Sequence, residues 1–301
     1  MFDAPTNTHG AFARYEAVRV RLPQADFPET SQHLAHLGEV AEYVDGFVLD
    51  AFGVLNVGAT AVPGAIERLA DLRKRGKKLC VLSNAASFTR LDALAKYQRL
   101  GFDFSADEVI TSRDVAVARM NTIAPGAVWA ALAAETDDFC DLPAKVIDAV
   151  CEPEALEHAD AILFLSSHRV TPQLHERLLS AMERKPRPMI VANPDITAPF
   201  EDGLSREPGL FAHDLMDRLG TELNWFGKPF AEGYDDILKH MELPAERLAM
   251  VGDTLHTDIL GGCAAGLKTV LVSNHGIFGG HDVQPFIDQS GIVPDFIVPT
   301  T

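Results

Sequence analysis

The sequence predicts an α/β protein: a parallel sheet with crossover helices, interrupted by a second α/β unit. Three observations carry this. Short apolar runs alternate with segments of helical period, as in Lys78 to Leu82 followed by Leu91, Leu94 and Ala95. Several of the runs end in a polar residue: Val48-Leu49 in Asp50, Leu82 in Ser83-Asn84, and Leu248 to Val251 in Gly252-Asp253. Between about residues 116 and 204 the texture changes to Ala-rich stretches with strands and helices of their own.

Taken in order, residues 1–43 read as an N-terminal surface extension with a short helix near Gln32 to Ala41. Val48-Leu49-Asp50 is a buried strand ending in a carboxylate, and Gly53 supplies the turn after it. Pro63-Gly64 opens a helix through Ile66, Leu69 and Leu72, which Gly76 closes. Lys78 to Leu82 is the next strand; Thr89 and Asp92 form a capping-box-like helix start, and Gly101 ends that helix. Strand, helix, strand, helix is the pattern of right-handed crossovers in a parallel sheet. The second unit carries strands at Val128 to Leu132, Lys145 to Val150 and Ala161 to Leu165, a helix through Leu174, Leu178 and Met182, and a last strand, Met189 to Val191, before Asn193-Pro194-Asp195. Gly203 to Gly209 reads as the return hinge. The first sheet is then expected to resume with Leu223 to Phe226, ahead of Gly227-Lys228-Pro229, and to finish with Leu248 to Val251, Leu267 to Val272 and Asp295 to Val298. The expected division is a core of 1–115 and 205–301 and an inserted domain of 116–204.

Composition narrows the function classes. The 301 residues, 47% of them hydrophobic, suffice for a large domain or two ordinary ones. A formal net charge of −17 makes a nucleic-acid partner unexpected, because neutralising phosphates takes clustered Lys and Arg. No run approaches the ~20 apolar residues of a membrane span, and Met1 to Gly10 does not read as a secretory signal. Cys80, Cys140, Cys151 and Cys263 form no Cys-x-x-Cys pair, so neither zinc nor redox chemistry is suggested, and a cytoplasmic location fits.

In an open parallel sheet the carboxyl ends of the strands meet the ligand. Asp50, Ser83-Asn84, Lys228, and Asp253 with Asp258 all follow strands. Three carboxylates, a lysine and two small donors on one edge make a site for a divalent cation and an anion. Carboxylate oxygens suit Mg²⁺, while a lysine and short polar side chains hold phosphoryl oxygens.

The order Asp50, Ser83, Lys228, Gly252-Asp253-x4-Asp258 resembles the haloacid dehalogenase-like (HAD) hydrolase superfamily. An insert ending in Asn193-Pro194-Asp195, with Gly58 and Val62-Pro63-Gly64, is similar to subclass IIA, the NagD-like and 4-nitrophenylphosphatase-like enzymes. The resemblance covers nearly everything from Val44 onward. It implies a Rossmann-like core with a cap domain, and Mg²⁺-dependent hydrolysis of small phosphate esters through a covalent aspartyl-phosphate. Asp50 would be the nucleophile and a metal ligand; the Phe52 backbone carbonyl, Asp253 and Asp258 would complete the metal site. Ser83, Asn84 and Lys228 would bind and stabilise the phosphoryl group, and Asn193 and Asp195 would contact substrate from the cap. An apolar cap surface could support a homodimer.

One position departs from that pattern. Most phosphatases of the superfamily carry a second Asp two residues after the nucleophile, to protonate the leaving alkoxide and then activate water; here it is Phe52. General acid–base help contributes ~10²–10⁴ in rate, so good leaving groups would suffer least. His256 and His275 lie close enough in sequence to the motif edge to be candidate substitutes. Two further readings stand beside this one. A non-catalytic or regulatory binder of a phosphorylated ligand would use the same scaffold. A metal-independent 2-haloacid dehalogenase resembles Asp50-Ala-Phe-Gly-Val, since those enzymes carry Asp-x-Tyr-Gly-Thr; the retained Asp253 and Asp258 argue against it.

Overall fold

The computed structural model describes residues 4–200 and 203–301. Seven parallel strands form the core sheet, in the order Gln32–His33, Phe296–Val298, Lys268–Val272, Leu248–Gly252, Gly46–Leu49, Lys78–Ser83, Val109–Thr111. Helices cover both faces, so alternate residues of one strand enter opposite cores, which is why the strands read as unbroken apolar runs. Leu49, Val81 and Val251 pack on one face; Val48, Cys80, Leu82 and Met250 pack on the other. From Gly46–Leu49 the chain works outward to Val109–Thr111, and later returns beside its starting strand to build the opposite half. The strand order therefore reverses between Leu248–Gly252 and Gly46–Leu49, the switch point at which such sheets open a ligand crevice.

A second parallel sheet has the order Asn224–Trp225, Met189–Val191, Ala161–Phe164, Val128–Leu132, Lys145–Asp148. The helices Pro172–Arg184 and Pro208–Leu219 share its apolar cluster through Leu178, Phe211 and Leu215. The molecule is thus two parallel-sheet α/β units, as the alternation of elements predicts.

Four expectations need correction. Leu223 to Phe226 does not resume the core: Asn224–Trp225 hydrogen-bonds to Met189–Val191 at the edge of the second sheet. Sequence order alone cannot tell which of two parallel sheets a strand joins. The expected hinge at Gly203 to Gly209 holds the short hairpin Pro199–Phe200 with Gly203–Leu204 and the start of the helix Pro208–Leu219. On the other side, residue 116 falls inside the helix Ser112–Ile123. We therefore propose that the second unit begins after that helix and runs through Trp225, rather than spanning 116–204. Finally, Gln32–His33 is an edge strand of the core sheet, and only Leu37–Val40 is helical in that stretch.

The N-terminal segment is no surface extension. The helix Thr8–Ala17, capped by the Asn7 side chain, is wedged between the two units. Phe12 packs with Leu255, Ile277 and Phe286 of the core. Tyr15 joins the cluster of the second unit, where its hydroxyl accepts the Ile196 N–H at 3.1 Å. Arg14 and Arg21 both pair with Asp217 of the helix Pro208–Leu219. A ten-residue helix of weak amphipathicity gives little sequence signal, because its two buried faces serve different partners. No helix among the described residues is long and apolar enough to cross a membrane.

Candidate active site

Three neighbouring core strands end at the switch point, and each delivers part of the site. Asp50 follows Gly46–Leu49, its backbone N–H held by the Val251 carbonyl at 2.9 Å. Asp253 follows Leu248–Gly252, and Ser83 is the last residue of Lys78–Ser83. The loops come very close. Gly53 adopts φ +75°, and a Cβ there would lie 2.6 Å from Asp253 Cβ. A Cβ on Gly252 would sit 2.0 Å from Asp258 Cγ. Only glycine lets these carboxylates converge. After Asp253 the chain forms the single π-helical turn Leu255–Ile259, a distortion that recurs at functional sites. It brings Asp258 back to accept the Thr254 N–H at 3.1 Å.

Lys228 reaches the same edge from the other unit, just beyond Asn224–Trp225. The expectation that it ends a core strand is therefore corrected. Its Nζ lies 2.5 Å from Asp50 Oδ1 and 2.8 Å from Asp258 Oδ1. Burial works against the ammonium, but Asp258, Asp50 and Asp195 outweigh it and raise its pKa. One oxygen from each of Asp50, Asp253 and Asp258 lies within 4.8 Å of the others. Burial, with Asp258 and Asp50 beside it, pushes Asp253 well above the usual carboxylate range. Burial likewise lifts Asp258 to about 6, against the pull of Lys228. Asp258 Oδ1 is buried against the Lys228 ammonium. Three convergent carboxylates, two of them with raised pKa values, have the donor chemistry a hard divalent cation needs.

The cluster opens on a cavity of about 290 Å³ lined by Asp50, Phe52, Ser83, Asn84, Asn193, Asp195, Lys228 and Asp253. Every expected site residue except Asp258 lines it; Asp258 lies behind Lys228. Several polar side chains in the wall are already occupied. Asn84 Nδ2 donates to Asp195 Oδ1 at 2.8 Å and to the Lys228 carbonyl at 2.9 Å, while its Oδ1 accepts the Lys228 N–H at 2.7 Å. Asn84 thus braces the junction of the two units. Asn193 donates to Glu207 Oε2 and accepts the Asp195 N–H, fixing the turn that presents Asp195. Burial pushes Asp195 up to about 8, although Lys228 and the Asn84 hydrogen bond pull the other way. Ser83 Oγ accepts the Ala85 N–H at 3.2 Å and lies within hydrogen-bond reach of the buried Tyr97.

Neither candidate histidine lines this cavity. His256 is buried against the N-terminal helix, paired with Glu16 at 2.5 Å and stacked on Tyr15, and His275 contacts Thr300. Both serve packing rather than the cavity. Sequence reasoning missed His168, Thr197, Ser205 and Glu207, which line it from the second unit. Their segments carry no motif, so nothing in the sequence marks them.

Fold and site together define a class: a hydrolase with its carboxylates at the switch point of a parallel sheet and a second α/β unit over them. Residues 47–141 match the family model described as haloacid dehalogenase-like hydrolase, and residues 225–300 match one described as HAD-hydrolase-like. The chain is 30% identical to human glycerol-3-phosphate phosphatase over 85% of its length and 88% of the relative's. It is also 30% identical to human chronophin, over 88% of this chain and 93% of that one. The solved p-nitrophenyl phosphatase from Archaeoglobus fulgidus superposes with a TM-score of 0.72 at 25% identity, covering 85% of this chain and 96% of the other. The chain belongs to the haloacid dehalogenase-like hydrolase superfamily, within its subclass IIA.

Proposed function

We propose that this protein is a divalent-cation-dependent phosphatase of small phosphate monoesters that works through a phosphoryl-enzyme on Asp50. The observation that carries the reading is the placement of Asp50. One carboxylate oxygen is held by Lys228, Asp253 and Asp258 are close by, and the residue faces a 290 Å³ cavity with the Ser83 hydroxyl in its wall. Relatives named as phosphatases support the reaction class.

The phosphoryl group of the ester is received by the Ser83 hydroxyl and the Lys228 ammonium, which neutralise its non-bridging oxygens. The second Asp50 oxygen attacks phosphorus in line. The P–O bond to the leaving group breaks as the aspartyl-phosphate forms, and the departing alkoxide takes up a proton. A water molecule then attacks phosphorus, freeing inorganic phosphate and returning the carboxylate. Asp50, Asp253, Asp258 and the Phe52 carbonyl would hold Mg²⁺, which supplies charge neutralisation at the transferring group. Asn84, Asn193 and Asp195 shape the wall over the substrate. Phe52 carries no transferable proton, so acyl and aryl phosphates, whose leaving groups need none, are the favoured substrates.

The test is phosphate release from acetyl phosphate and 4-nitrophenyl phosphate, with Mg²⁺ and with chelator, for the wild type and Asp50→Asn. Release that requires both metal and Asp50 is the expected result. Tight binding of the esters without turnover would move the protein to the regulatory reading, and chelator-insensitive chloride release from a 2-haloacid would move it to the dehalogenase reading.

A further inference from the structure

Beside the 290 Å³ cavity lies a larger one of about 510 Å³, between the helix Arg90–Arg99 and the 136–140 loop of the second unit. The two share Phe52, Ser83, Ala85, Ser87 and Phe88, so the larger chamber opens directly off the phosphoryl pocket. Its charged side chains fall into two kinds. Arg113 is saturated by Asp137, Asp141 and the Ala86 carbonyl, and Asp92 is spent on the capping box with Thr89. Lys96 and Arg99, one helical turn apart, are different: among the described residues, neither has a hydrogen bond or ion pair to a carboxylate. Lys96 is half-buried, with its Nζ 4.4 Å from the centroid of the Phe52 ring. In a chain of net charge −17, two basic side chains beside the reacting centre with no directed carboxylate contact are conspicuous, and Asp50 acts on Lys96 only through space. Asp195 and Glu207 line the smaller cavity, but burial raises the pKa of both, so the basic charge beside it stands on the Lys96 side. An anionic leaving group is attracted toward Lys96.

We propose that Lys96, assisted by Arg99, is an anion subsite that selects phosphate monoesters whose leaving group carries a second anionic group, a carboxylate or another phosphate. The inference rests on the phosphatase reading and deepens it. With the phosphoryl group at Ser83 and Lys228, the leaving group runs past the Phe52 ring into the larger chamber, and its distal anion meets the Lys96 ammonium. Phe52 then has a positive role: its ring face holds the ammonium by a cation–π contact while its edge forms an apolar wall for the substrate.

The test uses two esters with the same carbon skeleton, 3-phosphoglycerate and glycerol 3-phosphate, which differ by a carboxylate in place of a hydroxymethyl group. Values of kcat/KM are measured with Mg²⁺ on the full chain for the wild type, Lys96→Met and Lys96→Arg. The wild type is expected to favour 3-phosphoglycerate. Lys96→Met should collapse that ratio by about tenfold or more, through KM, as loss of a charge-assisted contact implies. Lys96→Arg should restore most of it. Lys96→Gln, with a matching circular dichroism spectrum, guards against a folding defect in the Met variant. A wild-type ratio near one, or a ratio unmoved in Lys96→Met, overturns the subsite. So does a fall in kcat on both esters alike that spares 4-nitrophenyl phosphate, which would make Lys96 a proton donor instead. Failure of the wild type to release phosphate from any of the three esters overturns the phosphatase reading and takes this inference with it.

Discussion

Two buried cations in this molecule sit among carboxylates, and they are built to opposite ends. Arg113, at 1% exposure, spends all five N–H donors: on both oxygens of Asp137, both oxygens of Asp141, and the Ala86 carbonyl. Lys228, equally enclosed, faces Asp50 and Asp258 with a third carboxylate, Asp253, close by. The first cluster is geometrically closed, so nothing can be added to it. The second sets three carboxylates around one lysine ammonium and is short of positive charge. A saturated buried ion cluster is architecture, whereas an undersaturated one is a site waiting for a ligand.

That contrast breaks apart under substitution. Asp50→Asn should leave the fold intact and cut phosphate release by at least ~10³-fold, because a covalent mechanism does not survive loss of its nucleophile; single-turnover assays with enzyme in excess would read it. Arg113→Met should do the reverse. It strands two carboxylates, one of them almost fully buried, and should cost about 3–5 kcal/mol of stability. Urea denaturation checks the loss, and the remaining folded fraction should still turn over substrate; an equally stable variant would mean that the cluster is not structural. The undersaturated cluster should respond to metal where the saturated one does not. Mg²⁺ at about 100 times its Kd should add about 2.7 kcal/mol to the wild type. Asp253→Asn should lose most of that gain, read as the difference between melts in Mg²⁺ and in chelator.

A substitution at Phe52 sharpens the comparison from the chemical side. Phe52→Asp places an ionisable group two residues after Asp50 and should raise kcat by about 10²-fold on alkyl esters. On 4-nitrophenyl phosphate, whose leaving group departs unaided, the gain should be far smaller. A uniform effect on both esters would count against the missing proton step.

The undersaturated cluster was legible in sequence and the saturated one was not, for a physical reason. Asp50, Ser83 and Asp253 each terminate an apolar run of a parallel sheet, so local period and turn chemistry place them on one edge without knowledge of the tertiary fold. Arg113, Asp137 and Asp141 meet only because the helix Ser112–Ile123 packs beneath an irregular loop of the second unit. No spacing rule brings them together. The same limit explains the error at Asn224–Trp225. A two-residue edge strand carries no mark of the sheet it joins, and with it went the provenance of Lys228 and the right ownership of Glu207. The helix Thr8–Ala17 escaped for a related reason, since its buried residues face two different cores.

The smallest effect concerns the wall shared by the two units. Burial holds the Asp195 carboxyl at about 8 in the folded protein, against 3.8 as the ordinary value. Between those values the folded chain binds a proton that the unfolded chain has released. Stability from this group is therefore lost as pH rises from about 4 toward 8, and is flat above that. The ceiling on the slope is about 1.4 kcal/mol per pH unit, and partial access from the cavity keeps it lower, since Asp195 is only half-buried. Asp195→Asn keeps an oxygen to accept from Asn84 and removes the titration. In chelator, the stability of the variant minus that of the wild type should grow from pH 5.5 to 8 and then level off. A difference that stays constant across that range would mean that Asp195 remains ionised in the fold. The wall facing Lys96 would then carry a fixed charge at every pH, and the electrostatic split between the two chambers would be larger at pH 6 than the protonated wall allows.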